Sequence, residues 1–190
     1  MHKIEATMPI STSGTDLKYL GAKHYQLSMA GRFDPGWVCG LSHGLAERRI
    51  SIMRVEAARI AGRNWQSRLD LDFSTTTVTP DAVDYLELSK SYATVQALAE
   101  PIVLDDYQLE RSTKCDGSLY IEANGPDRIG VLSSLLNTFS LFSLFPAEIL
   151  VETKNRRIFD QFWLKGMGGV APSNEAVAAL RERMREFTQC

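Results

Sequence analysis

The sequence predicts an α+β fold in which one βαββαβ unit occurs twice, each copy with an antiparallel sheet. Three observations carry this. Two runs of alternating apolar and polar residues, His24 to Gly31 and Ser118 to Gly125, lie 94 positions apart. Each is followed by a turn that holds a glycine, then by apolar residues at helical spacing. The composition is that of a globular chain, with 190 residues, 44% hydrophobic and 23% charged.

Each element has its own reason. The alternating runs read as half-buried strands. The helix after the first carries Val38, Leu41 and Leu45; the helix after the second carries Leu132, Leu135, Leu136 and Phe139. Both sets follow the i, i+3, i+4 rule and define one buried face. A second strand follows, Ile50 to Ile60 in one copy and Leu144 to Glu152 in the other. The turns Ala61-Gly62-Arg63-Asn64 and Lys154-Asn155-Arg156-Arg157 lead to a third strand. Its inward row is Trp65, Ser67, Leu69, Leu71 and Phe73, matched by Ile158, Asp160, Phe162 and Leu164. Thr79-Pro80-Asp81 starts a second helix, with Thr79 as N-cap and Pro80 at the first helical position. Val83, Leu86 and Lys90 form its stripe, and Pro101 stops it. Pro172-Ser173-Asn174-Glu175 opens the matching helix, with Val177, Leu180, Met184 and Phe187 inward. Arg181, Arg183 and Arg185 read as a solvated helix face.

The first copy then has a fourth strand, Ile102 to Leu109, and the second has none before Cys190. A missing strand leaves an open sheet edge. The run Lys3 to Met8 is expected to cross over and fill it. The predicted organisation is an N-terminal segment at 1–22, a first domain at 23–110, a linker at 111–116 and a second domain at 117–190. Ser11 to Thr15 and Ser74 to Thr77 read as loops. The order βαββαβ is the ferredoxin-like pattern.

The run Gly125-Pro126-Asp127-Arg128-Ile129-Gly130-Val131-Leu132 resembles the turn between strand one and helix one of ACT domains. Phe159-Asp160-Gln161-Phe162-Trp163-Leu164 is similar to their third strand, and Asp34-Pro35-Gly36-Trp37-Val38 to the same turn in the first copy. A stand-alone tandem pair of this length resembles the glycine-cleavage-system repressor type of ACT protein. The resemblance implies a regulatory module that binds a small molecule, most often an amino acid, between paired units. The implied ligand-binding residues are Phe33, Asp34, Pro35, Gly36, Trp37, Asp127, Arg128, Ile129, Gly130 and Val131, together with Ser51. Ser51 stands at the start of strand two, where amino-acid-binding members often carry Asn; the second copy has Phe145 there, which offers a ligand no hydrogen bond. The physics of the turn agrees. Glycine permits a tight bend, and the first N–H groups of the helix lack intrahelical partners and attract a carboxylate.

Charge narrows the function classes. Lys and Arg total 21 against 23 Asp and Glu, for a net charge of −2, without the basic excess of nucleic-acid proteins. The three cysteines make no CxxC pair, so neither a zinc site nor a disulfide framework is expected. Neither a signal peptide nor a membrane span is expected, which points to a cytoplasmic protein. Cys39 and His43 share a helix face, but no third group orients them, so catalysis is not expected. No cofactor is expected. The apolar run Leu141-Phe142-Ser143-Leu144-Phe145 predicts an interface, within the chain or in a homodimer. The expected function is a non-catalytic sensor of an amino acid, with a homodimer and a regulatory protein partner. The alternative is an interaction adaptor or transcriptional co-regulator that binds no ligand.

Overall fold

Alternation of apolar and polar residues builds eight strands into one antiparallel sheet. The computed structural model describes residues 14–61, 64–90 and 101–188. The first half runs β1 (Gly14–Gly21), β2 (His24–Arg32), α1 (Trp37–Glu47), β3 (Ser51–Ala61), β4 (Asn64–Asp72) and α2 (Tyr85–Lys90). The second half runs β5 (Asp106–Ser112), α3 (Lys114–Gly117), β6 (Ser118–Pro126), α4 (Val131–Leu141), β7 (Leu144–Lys154), β8 (Arg157–Gly166) and α5 (Asn174–Glu186). The α3 segment is a single turn in which Cys115 and Asp116 take left-handed backbone angles. The strand order is β1-β2-β4-β3-β7-β8-β6-β5, so β3 and β7 join the halves at the centre.

Across that seam Val55 faces Val151 and Ala57 faces Ile149. Strand residues two apart share a face, so these four continue one inward row with Leu27, Leu69, Ile121 and Phe162. All eight are buried. Helix α1 packs on α4 above the seam, and its Cys39 Sγ donates to the Ser133 carbonyl at 3.7 Å. Every predicted helix-one and strand-three core residue is buried: Val38, Leu41, Leu45, Leu132, Leu135, Leu136 and Phe139 above, and both inward rows below. The opposite face carries half-buried polar groups. There Tyr120 Oη and Gln161 Nε2 donate to Glu122 Oε2 at 2.7 and 2.9 Å.

Four expectations need correction. First, the strand expected over Ile102 to Leu109 begins at Asp106 and pairs with β6, from Asp106 opposite Asn124 to Ser112 opposite Ser118. It therefore edges the second half, and Glu110 to Ser112 belong to it rather than to a linker. Second, the edge that Lys3 to Met8 was expected to fill is thereby occupied by β5; Lys3 to Met8 lie outside the described residues. Third, Gly14 and Thr15 are strand, not loop. They begin β1, which edges the first half by pairing with β2, Leu17 opposite Leu27. Each half thus takes its outer strand from the segment before it. Fourth, Thr79 and Pro80 start only a 3₁₀ turn, Pro80–Ala82. The helix itself begins at Tyr85, where Asp84 Oδ1 accepts the Glu87 N–H at 2.9 Å. Asp84 is the better cap because its carboxylate reaches the third residue on. The Pro101 stop lies beyond residues 91–100, which are outside the described residues. In α5, which opens within the expected run Pro172 to Glu175, Ser173 Oγ caps the helix by accepting the Ala176 N–H at 3.1 Å.

Candidate functional site

Two related clefts flank the central seam, each beneath the start of one long helix. Helix α4 begins at Gly130 with φ 94° and α1 at Gly36 with φ 90°, angles that favour glycine. Neither helix has a side-chain cap. Their first N–H groups therefore present partial positive charge to whatever lies in front of them.

The cleft before α4 is small and open to solvent, with about 30 Å³ of room for water-sized occupants. Its turn contributes Asp127, Arg128, Ile129, Gly130 and Val131. The far wall comes from the other half: Ser51 and Ile52 from β3, Ser42 and Ala46 from α1. Thr153 and Asp160 stand on the strands beneath. The turn is pinned by the Asp127 N–H on the Arg156 carbonyl at 2.9 Å. Ser133 Oγ donates to the Gly130 carbonyl at 2.9 Å, and Arg128 to the Pro101 carbonyl at 3.4 Å.

The cleft before α1 differs in chemistry. Gly36, Trp37, Val38, Trp65, Leu136, Phe145 and Pro146 line it. The Trp37 and Trp65 rings meet edge to face at 5.7 Å between centroids. This is where the apolar run ends: Phe145 lies against the first half, while Leu141 stays 69% exposed.

The structure thus gathers Ser51, Asp127, Arg128, Ile129, Gly130 and Val131 into one cleft, and Gly36 and Trp37 into the other. Phe33, Asp34 and Pro35 line neither. Phe33 stacks on Trp37 at 4.7 Å, and the Asp34 carbonyl accepts the Trp37 N–H at 3.2 Å. The pairing across the seam is crossed: Ser51 of the first half serves the turn of the second, and Phe145 of the second faces the turn of the first. Sequence reasoning kept each with the turn of its own half, because nothing local shows that β3 and β7 are neighbours.

Asp160 is the residue that sequence reasoning passed over. It is fully buried, and neither carboxyl oxygen has a hydrogen bond of good geometry. Burial pushes its pKa well up, and the Asp127 charge adds to this, while the backbone of Glu152 opposes weakly. Asp127 is itself raised by burial. The available signal was a charged residue at an inward, period-two position between Ile158 and Phe162.

Other reactive groups are muted. Burial raises the Cys39 thiol to about 12, so it carries no thiolate at neutral pH. His43 Nε2 lies 3.5 Å from Glu47. Among the described residues, no group of three or more His, Cys, Asp or Glu side chains is placed to hold a metal ion. No helix among them is long and apolar enough to cross a membrane.

No protein-family model matches the chain, and no curated protein matches it. Among solved structures, it is similar to the ligand-free regulatory subunit of aspartate kinase from Thermus thermophilus. The identity is 16% over 91% of this chain and 98% of that one, with a TM-score of 0.29. A likeness this distant defines neither the fold nor the site.

Proposed function

We propose that the chain is a non-catalytic sensor of the ACT type, which binds an amino acid in the cleft before α4. The two units are then residues 14–90 and 101–188, fused side by side through β3 and β7. One observation carries the reading. Of two clefts related by the repeat, one sets hydroxyl and charged side chains among aliphatic ones, and the other gathers the rings of Trp37, Trp65 and Phe145. Core packing alone does not call for Ser42, Ser51, Thr153 and Asp160 in one place. A carboxylate set before α4 meets the positive end of the helix, where the Val131 N–H is already held by the Arg128 carbonyl at 3.1 Å and the N–H groups of Leu132 and Ser133 follow. The cleft is walled by both halves, so an occupant contacts both. Binding there couples to how the halves sit together, by typically about 1–3 kcal/mol.

The test is a thermal-shift screen against the twenty amino acids and common nucleotides. A ligand that binds only the folded state raises Tm by mass action. Two variants locate the site. Ser51→Phe copies the Phe145 side of the other cleft and should abolish the shift while the fold survives. Gly130→Leu forces a side chain into a left-handed angle and should abolish it too. A shift that survives Ser51→Phe places the ligand elsewhere. If no compound shifts Tm at millimolar concentration, the sensor reading falls and the adaptor reading takes its place.

A further inference from the structure

Asp160 stands where the repeat offers a direct comparison. The equivalent residue in the first half is Ser67, whose Oγ donates to the Met29 carbonyl at 3.1 Å. Ser67 lies opposite Met29, a long side chain; Asp160 lies opposite Ala123, a short one. The first half therefore has a satisfied hydroxyl. The second has a buried carboxyl opposite a small residue, eased only by the Glu152 backbone, among the residues that line the cleft. Full burial disfavours the ionised carboxylate, so the protonated acid is the form favoured here.

We propose that this cleft takes a ligand bearing a primary ammonium group, and that Asp160 is the group that pairs with it. The idea rests on the cleft being a ligand site, as above, and adds the chemistry its occupant must have. The cleft then offers both signs: N–H groups at the start of α4 for an anion, and the Asp160 carboxyl on β8 for a cation. Among the lining residues the ionisable groups are Asp127, Arg128 and Asp160. The Arg128 guanidinium is turned to the Pro101 carbonyl. From α1, α4 and β7 the cleft is lined by Ser42, Ala46, Leu132, Ser133, Val151 and Thr153, none of which titrates. The Asp127 charge acts on Asp160 and favours its protonated form.

Proton balance makes the idea measurable. Burial favours the protonated Asp160 in the free protein, whereas a bound ammonium requires the carboxylate. Binding forms the ion pair and sends that one proton to solvent. Affinity then rises with pH, by about tenfold per unit, for as long as free Asp160 stays protonated.

Three probe sets would be titrated calorimetrically into the intact chain at pH 5.5 and 7.5, in two buffers of different protonation heat. These are the twenty amino acids, simple amines (methylammonium and putrescine), and carboxylates without an amine (acetate and succinate). Support requires an amino acid or amine that binds more tightly at the higher pH and releases about one proton. It also requires that Asp160→Asn, a near-isosteric change, weaken that probe by roughly tenfold or more. The proton count on the unaltered chain stands even if the variant folds poorly. Amino acids that bind with no proton release and equally well to Asp160→Asn overturn the inference and leave the sensor reading intact. So do carboxylates that bind as tightly as their amino counterparts. Amines that bind through Asp160 while no amino acid binds uphold the inference and overturn the amino-acid reading. If no probe binds, both fall.

Discussion

Single residues set both the chemistry and the strain of this molecule. Asp160 holds its proton in the folded state to a pH well above its ordinary value, which is about 3.9 in an unfolded chain. Between those two values the native state binds a proton that the unfolded state has lost, so stability falls as pH rises, then levels off. Asp160→Asn removes this cost. We expect its Tm at pH 7 to exceed that of the unaltered protein by roughly 2–4 °C per kcal/mol recovered. The gain should shrink as pH falls toward 4, which differential scanning calorimetry at a series of pH values would show; a gain that does not vary with pH contradicts the assignment. Gly130 carries a different demand. Its φ of 94° is strained for any other residue, so Gly130→Ala should cost about 1–2 kcal/mol in urea denaturation. Cys39, with a thiol raised to about 12, should resist a thiol reagent at pH 8 until the protein unfolds. Fast labelling of the native protein at that position would contradict its burial.

At the level of elements, much was legible and the failures share a cause. Strands β2, β3, β4, β6, β7 and β8 and helices α1, α4 and α5 were visible because inward residues recur with the period of the element. Leu27 and Met29 alternate; Leu132, Leu135, Leu136 and Phe139 wind round one face. The outer strands were not placed. In β1, Leu17 is the residue packed against the core, so its pattern is faint. In β5 the inward pair Tyr107 and Leu109 marks a strand, but alternation says nothing of which neighbour it joins. Pairing is set by distant chain, and one sequence carries no local record of it. The same blindness hid the cleft, whose wall at Ser51 and turn at Asp127 are 76 positions apart. The β5 assignment can be tested directly. Leu109→Ala, at a site 7% exposed, should cost about 2–4 kcal/mol. It should raise hydrogen exchange first in the amides of β6 rather than β2.

For the whole molecule, the seam between β3 and β7 and the contact of α1 with α4 merge the halves into one hydrophobic core. One core should unfold in one step. Trp37 and Trp65 report on the first half and Trp163 on the second. Single-tryptophan variants should therefore lose structure at the same urea concentration, and separate midpoints would show that the halves melt independently. The placement of the outer strands bears on how the chain is made as well as on how it stands. Because β1 precedes β2 and β5 precedes β6, every edge strand leaves the ribosome before the strand it will border. By the time residue 72 has emerged, the first four strands are all present, and their antiparallel partners lie within one half. The first half can close its sheet during synthesis without waiting for the second. What it then exposes is β3, an unpaired edge for only as long as translation takes to deliver β7.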